Sequence, residues 1–360
     1  MTVQERLAAL RSLMKEKHVD AYLVPTDDFH GSEYVGDYFK CRKYITGFTG
    51  SAGTAVITSD MAGLWTDGRY FIQAAQQLEG TTVTLFKMGE PEVPTVHEFL
   101  KDKLTEGMCL GFDGRCVSAA ETEELKSLLA DKNIRFSVEE DLIGEIWKNR
   151  PELSCEPVME LEEKWAGKSR ADKCAQIREK MAEKGADAFI LTSLDDIAWL
   201  LNIRGNDIHC CPVVLSYLVM TQDEILLFAN EKSFDAAVRT SLEKDGVVLK
   251  PYNDIYQYVK TVPENRTVLL SRKSANSRLV SSLPESVKVL DEENLTLLPK
   301  AIKNPVEVEN ERIAHIKDGV AVTKFIYWLK KNRGKTRSQS SVRQTIYFPC
   351  KEQENFLDTA

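Results

Sequence analysis

One passage of this chain occurs twice, with the two copies 167 residues apart. In each copy, apolar residues spaced three and four apart predict an amphipathic helix, and a short turn leads from it into a buried strand. The repeat predicts two related domains, because solenoid repeats have much shorter periods of about 20–50 residues. The corresponding pairs include Leu7 and Cys174, Leu10 and Ile177, Met14 and Met181, Asp20 and Asp187, Tyr22 and Phe189, and Asp28 and Asp195.

The length and composition agree with two soluble domains. The chain has 360 residues, and a single hydrophobic core stops growing near roughly 250–300 residues. Hydrophobic residues make up 43% of the chain, but no apolar run approaches the roughly 20 residues that span a bilayer. The formal net charge of −8 argues against general nucleic-acid binding, which requires a basic surface. We therefore expect no nucleic acid and no membrane as partners.

The N-terminus and the cysteines predict a cytoplasmic protein. Residues 1–7 contain neither the basic segment nor the apolar core of a secretory signal. The eight cysteines include the adjacent pair Cys210 and Cys211 but no C-x-x-C motif, a pattern that favours reduced thiols.

Local patterns predict mixed α/β structure in both halves of the chain. A charged segment at 152–168 marks the boundary between them. A long helix at 307–331 follows Pro305 and belongs to neither repeat. The predicted division is 1–157, 158–301 and 302–360. The predicted helices of the two halves lie at 4–17, 69–78 and 172–184, and the predicted strands at 21–25, 53–57, 63–65, 82–86, 188–191, 212–220, 224–228 and 267–271.

The long connection at 26–42 is the first candidate for function. Its sequence, TDDFHGSEYVGDYFKCR, has no counterpart in the second copy, and long insertions often carry function. The alternative is a solvated loop in which Asp27 and Asp28 serve turns or a helix cap. A metal site is not indicated, because His30 and the other histidines are scattered singly and an ion requires several ligands.

A glycine-rich segment, ITGFTGSAG, follows at 45–53. It lacks the lysine and the Ser/Thr of a phosphate-binding P-loop. Gly47, Gly50 and Gly53 are therefore predicted to permit tight turns before a strand at 54–58.

Two further polar motifs have both a structural and a functional interpretation. Asp67 and Arg69 flank a glycine in WTDGRY, which predicts a turn closed by an ion pair or an exposed recognition residue. Arg204 and Asp207 flank Gly205 in the second half, where they could form an ordinary surface turn or a polar corner facing another domain or a substrate.

The chain resembles the three-domain cytosolic Xaa-Pro aminopeptidases of the creatinase and prolidase superfamily. Five motifs carry the resemblance in order over about residues 1–332: DDFHGSEY, YITGFTGSAGTAVIT, LWTDGRYFIQA, LDDIAWLLNIRGND and PVVLSY. The resemblance implies an α/β fold of two tandem creatinase/prolidase N-terminal-like domains with mixed sheets. It also implies that 302–360 is the start of a pita-bread catalytic domain, with 307–331 as its first helix.

The same resemblance implies what the whole protein does. Relatives are dimeric peptidases, usually with two manganese ions, that release an N-terminal residue before proline from short peptides. Their metal ligands are two Asp, one His and two Glu in the pita-bread domain, and this chain ends at Ala360 before any of them. We therefore expect a chain truncated before the metal site, with no catalytic residue, no metal ligand, no cofactor of its own and no hydrolytic activity.

The remaining expectations concern the two domains themselves. They would support oligomerisation and restrict access to the active site, which in relatives the N-terminal loops approach. The alternative is a stand-alone binding or assembly module without enzymatic function. The candidates for a substrate rim or recognition surface are Asp27, His30, Glu33, Tyr34, Arg69, Arg204 and Asp207.

Residues 333–351 depart from the resemblance. This segment carries five basic residues and no acidic residue, where the family has an acidic and apolar helix. The composition predicts local disorder and indicates either a disrupted reading frame or a divergent linker.

Overall fold

The computed structural model describes residues 1–332 of the chain. Residues 1–157 are called domain I here, and its described strands form one six-stranded sheet in the order β4-β3-β2-β1-β5-β6. The β1–β2 and β2–β3 pairs are antiparallel, and the other neighbours are parallel. The strands are β1 (Ala21–Val24), β2 (Thr54–Thr58), β3 (Ala62–Thr66), β4 (Thr84–Lys87), β5 (Cys109–Gly111) and β6 (Arg135–Ser137), and the helices are α1 (Val3–Glu16), α2 (Cys41–Thr46), α3 (Phe71–Leu78), α4 (Val96–Lys103), α5 (Ala119–Leu128) and α6 (Leu142–Ile146).

Residues 158–301, called domain II, repeat this topology. The sheet order is β12-β11-β10-β8-β13-β14; the β8–β10 and β10–β11 pairs are antiparallel, and the other neighbours are parallel. The strands are β7 (Met159–Glu160), β8 (Ala188–Leu191), β9 (Ile203–Arg204), β10 (Ser216–Thr221), β11 (Ile225–Ala229), β12 (Val247–Pro251), β13 (Thr267–Leu270) and β14 (Lys288–Asp291), and the helices are α7 (Glu163–Ala166), α8 (Arg170–Glu183), α9 (Leu194–Leu201), α10 (Ala236–Lys244), α11 (Ile255–Tyr258), α12 (Ser277–Ser281) and α13 (Leu297–Ala301).

The duplicated passage forms α1 and the central strand β1 of domain I, and α8 and the central strand β8 of domain II. Leu7, Leu10 and Met14 are buried on one face of α1, as the helical spacing predicts. The same face of α8 buries Ile177 and Met181. Both central strands are buried along their whole length, since each sheet is covered on both faces. The predicted mixed α/β fold with two related sheets is confirmed.

The segment between the two sheets is structured. β7 pairs with β9, and Arg170 donates hydrogen bonds to Glu160 and Asp245. The final described helix, α14 (Pro305–Lys331), begins with a capping box between Asn304 and Glu307. Its contact with domain II includes the bond from Asn304 Nδ2 to the Ala166 carbonyl, 2.8 Å.

Most of α14 is exposed. Ile313, Ile316, Val320 and Tyr327 form the apolar stripe that the spacing predicts, and each has more than two-fifths of its surface accessible. The basic segment at 333–351, together with its predicted disorder, lies outside the residues that the structure describes.

The two domains meet through corresponding loops. Ser118 and Asn276, the N-cap residues of α5 and α12, form an antiparallel bridge. Backbone bonds extend it on both sides, from Ala119 N to the Ala275 carbonyl at 2.9 Å and from Ser277 N to the Val117 carbonyl at 2.8 Å. This strand-like contact fixes one domain against the other and brings the 26–42 connection to the boundary.

Candidate functional site

The connection that follows β1 inserts into domain II. Phe29 is buried in the same apolar cluster as Tyr217, Tyr252 and Ile255, although it belongs to domain I. The amide of Asn276 donates to the Phe29 carbonyl at 2.9 Å. The middle of the predicted insertion is therefore part of the interdomain core rather than a solvated loop.

His30 is the polar centre of this contact, and only 3% of its surface is exposed. Its Nδ1 lies 3.0 Å from the Thr192 carbonyl and its Nε2 lies 2.6 Å from the Tyr252 hydroxyl. A carbonyl can only accept, so Nδ1 carries a proton and donates to Thr192. Burial lowers the pKa of His30, which favours the neutral imidazole. In the neutral form Nε2 carries no proton, so it accepts from the Tyr252 hydroxyl.

Tyrosine hydroxyls and one amide extend the network into domain II. The Tyr217 and Tyr256 hydroxyls are 2.9 Å apart, and Asn276 Nδ2 lies within 3.3 Å of both. Burial raises the pKa of Tyr217 and Tyr252 well above the ordinary value, so both remain protonated.

Two aspartates support the inserted segment. Asp28 Oδ1 accepts from the backbone amides of His30 and Ser32 at 2.8 and 3.0 Å. The neighbouring Asp27 is half-buried, and burial together with the Asp28 charge raises its pKa to about 8. Asp27 is therefore largely protonated at neutral pH, which limits its use as an ionic recognition group.

Arg204 and Asp207 do not form a common corner. Arg204 donates to the carbonyls of Ala198 and Ile203 at 2.9 Å and lies on the β7–β9 ribbon. Asp207 is buried and accepts from Glu156 N at 3.2 Å and from Leu215 N at 2.8 Å. The two side chains therefore make separate contacts: Arg204 bonds to α9 and β9, whereas Asp207 bonds to Glu156 and Leu215.

The glycine-rich segment turns around a buried arginine. Arg42 donates from Nε to Thr26 Oγ1 at 2.8 Å, from Nη1 to the Phe48 carbonyl at 2.8 Å, and from Nη2 to the Gly50 carbonyl. Burial lowers the pKa of Arg42 to about 10. Gly53 has a φ of 152°, and a Cβ there would lie 2.8 Å from the Trp65 carbonyl. The predicted turn before the strand at 54–58 is confirmed.

An interdomain cleft of about 270 Å³ opens beside this turn. Glu33 and Tyr34 of domain I face His209 of domain II across it, and Tyr34 has 51% of its surface exposed. Ser51, on the glycine-rich turn, bonds to the Tyr70 hydroxyl at 2.6 Å. The remaining lining residues are Thr26, Val35, Phe39, Lys40, Arg42, Lys43, Thr49, Gly50 and Ile208.

Arg69 lies next to Tyr70 on the exposed turn after β3. Its Nε and Nη2 donate to the two oxygens of Asp67 at 2.9 and 2.8 Å, which lowers the pKa of Asp67 to about 2. The ion pair that the turn motif allows is therefore present, and the guanidinium is still open to solvent.

The two halves of the chain match the same kind of family model. Residues 6–142 match one model of the creatinase/prolidase N-terminal domain, and residues 149–307 match a second model of that domain. The chain belongs to the creatinase/prolidase N-terminal domain family. This result explains the duplication, because both sheets are copies of one family fold.

Curated relatives of these creatinase/prolidase domains are similar over nearly the whole chain. A probable Xaa-Pro aminopeptidase P of Coprinopsis cinerea is 38% identical over 93% of this chain and 56% of its own length. Xaa-Pro aminopeptidase 1 of Dictyostelium discoideum is 33% identical over 99% of this chain and 57% of its own length. The chain thus spans about half the length of the curated relatives it matches.

One solved structure shares the arrangement of both creatinase/prolidase domains. It is an X-prolyl aminopeptidase from Caenorhabditis elegans, described as a cytosolic enzyme with a di-nuclear active site. The identity is 33% and the TM-score is 0.91, over 99% of this chain and 61% of that one. The predicted resemblance to the Xaa-Pro aminopeptidase family is supported.

The structure separates the sequence-predicted residues into an exposed and a buried group. Glu33 and Tyr34 are exposed and line the interdomain cleft, and Arg69 is exposed on the turn after β3. His30 and Asp207 are buried in structural contacts, and Asp27 and Arg204 are half-buried. Sequence reasoning missed the domain II residues that hold His30. Tyr217 lies within the PVVLSY motif that carried the resemblance, but nothing in the local pattern of Tyr252 or Asn276 indicates their contact with domain I.

Proposed function

We propose that this chain supplies the two N-terminal domains of an Xaa-Pro aminopeptidase, which releases the N-terminal residue of a short peptide when proline follows it. The observation that carries this proposal is the similarity to the Caenorhabditis elegans X-prolyl aminopeptidase over 99% of the chain. Both domains agree in that comparison, so their relative placement supports the same family.

The hydrolytic centre lies outside domains I and II in this proposal. The family models matched at 6–142 and 149–307 describe N-terminal domains. Among residues 1–332, no group of three or more His, Cys, Asp or Glu side chains is placed to hold a metal ion. Two metal ions, manganese in our proposal, would be held elsewhere in the whole protein, and the 360-residue chain alone would not hydrolyse peptides.

The two domains would support oligomerisation of the whole protein and limit access to its active site. The exposed Glu33, Tyr34 and Arg69 are the residues we assign to a rim that selects short peptides, since they are free to contact a ligand. The buried His30 would act through the placement of that rim. We further propose a cytoplasmic homodimer, and the description of the Caenorhabditis elegans relative as a cytosolic enzyme supports that location. The helices described at 1–332 include none that could span a membrane.

The test compares the 360-residue chain with the product of the complete reading frame at its locus. An Xaa-Pro-Yaa peptide and a matched Xaa-Ala-Yaa peptide are incubated with each protein and manganese. We expect proline-dependent cleavage by the complete product and none above blank by the 360-residue chain.

Two results would overturn the proposal. Turnover by the 360-residue chain would place the hydrolytic centre within it. A complete reading frame that ends at Ala360, with a stable and inactive product, would favour the non-enzymatic assembly module.

A further inference from the structure

A second pocket of domain I, called the basic pocket here, lies between α1, α2 and the segment after α6. Its volume is about 610 Å³, within the roughly 300–1,000 Å³ that is typical of small-molecule sites. It adjoins the interdomain cleft, because Lys40 and Lys43 line both. The side chains that matter for its chemistry are Arg6, Lys40, Lys43, Tyr44, Trp147 and Lys148.

The lining of the basic pocket is strongly positive. Four cationic side chains reach it, and its one carboxylate, Asp37, pairs with Lys40. Among the described residues, Arg6, Lys43 and Lys148 form no ion pair. The formal net charge of the whole chain is −8, so this concentration of unpaired cations is not a general property of the surface.

An aromatic pair forms one wall of the pocket. The rings of Tyr44 and Trp147 stack with centroids 4.5 Å apart at an angle of 14°. The Arg6 guanidinium lies 4.5 Å from the Tyr44 ring centroid, and its Nη1 donates to the Tyr44 carbonyl at 2.6 Å. Arg6 Nε is buried without a hydrogen-bond partner among the described residues. One cation is therefore held against the aromatic wall, and Lys43 and Lys148, which form no ion pair among the described residues, can turn toward a ligand.

We propose that the basic pocket binds a small organic anion that carries phosphate groups on a planar aromatic body, the chemical class that nucleoside phosphates represent. Lysine and arginine bind phosphate oxygens through charge-assisted hydrogen bonds. A planar ring gains further binding energy from stacking on an aromatic side chain. The cations would provide the first contact. Tyr44 already contacts both Arg6 and Trp147, so a ligand ring would stack on the half-buried Trp147, which lines the basic pocket. This inference is independent of the proposed peptidase function.

The test is isothermal titration of the 360-residue chain with ADP in the absence of divalent metal. Pyrophosphate lacks the ring and adenosine lacks the phosphates, so they serve as the two partial ligands of ADP. Lys43→Glu/Lys148→Glu reverses both free lysines, and Lys101→Glu/Lys103→Glu makes the same charge change on exposed α4, outside the basic pocket. Circular dichroism checks the fold, and Lys43→Gln/Lys148→Gln replaces the first variant if it does not fold.

We expect ADP to bind, and the pocket variant to weaken binding by about tenfold or more. The α4 variant should change the affinity for ADP by less than about twofold. A higher salt concentration should weaken ADP binding, since salt screens the contacts between the cations and the phosphates. Adenosine and pyrophosphate should each bind at least about tenfold more weakly than ADP. No binding of ADP at about 1 mM, equal loss in both double variants, or equal binding of ADP and pyrophosphate would overturn the proposal.

Discussion

Replacing His30 tests whether the imidazole joins the two domains. His30→Ala removes the bonds to the Thr192 carbonyl and the Tyr252 hydroxyl, each of which contributes about 1 kcal/mol. The Thr192 carbonyl and the Tyr252 hydroxyl are then buried without the hydrogen bond to His30, and the missing ring leaves a cavity. We therefore expect the free energy of unfolding to fall by about 3 kcal/mol in total. His30→Asn should lose about half as much, because its amide can still donate to Thr192 in place of Nδ1.

The assay is urea unfolding followed by tryptophan fluorescence. His209→Ala is the matched control, since this histidine is exposed on a neighbouring loop, and its effect should stay within about 0.5 kcal/mol. A double-mutant cycle of His30→Ala with Tyr252→Phe should give a coupling of about 1 kcal/mol. Negligible coupling, or a loss no larger than that of the control, would refute the assignment of His30 as an interdomain contact.

Three further predictions concern the pKa of His30, the hydrogen bonds of Arg42 and the exposed stripe of α14. Burial lowers the pKa of His30 below its ordinary value of 6.5, although the charges of Asp28 and Asp207 act in the opposite direction. The unfolded chain therefore binds the proton more tightly than the folded chain does. The contribution of His30 to stability is complete above pH 6.5 and is lost as the pH falls through the folded-state pKa. Urea midpoints measured against pH should show this loss in the wild-type chain and not in His30→Asn, and equal slopes would contradict it. In Arg42→Lys, the lysine ammonium cannot bond to Thr26 Oγ1 and to the Phe48 and Gly50 carbonyls at the same time, so the variant should be destabilised by about 3 kcal/mol. The control Arg69→Lys, on the surface, should change stability by less than about 0.5 kcal/mol. Deleting residues from 302 onward should improve monodispersity in light scattering, because it removes the exposed apolar stripe of α14; an unchanged size distribution would count against that stripe as the cause of association.

Elements with a strong hydrophobic pattern could be predicted from the sequence. β8 begins and ends at the predicted residues, and α1 and α8 lie within two residues of the predicted bounds. β6 and β14 were missed, because each is short and only partly buried at a sheet edge. Such edge strands have no regular alternation of buried and exposed residues, and their pairing depends on the neighbouring strand.

The sequence indicated that the connection at 26–42 is an insertion, but it did not predict where this segment lies. The structure places its middle against domain II, and the pattern gives no sign that His30 would be buried there. Its partners Thr192 and Tyr252 lie 162 and 222 residues away in the chain. Local sequence indicates whether a residue suits a strand or a turn, whereas burial by a distant domain is a property of the tertiary fold.

The interdomain contact has a consequence for the rim that we assign to the exposed residues. An apolar interface alone would tolerate sliding, but hydrogen bonds are directional and fix the orientation of the groups they join. Asn276 contributes twice, because its Oδ1 caps α12 through Leu279 N at 2.9 Å while its Nδ2 holds the Phe29 carbonyl. Rotation of domain I would therefore break the bond from Asn276 to Phe29 as well as the contacts of His30. A network that resists this rotation would keep Glu33 and Tyr34, close to His30 in the chain, at a constant distance from domain II, as the proposed rim requires.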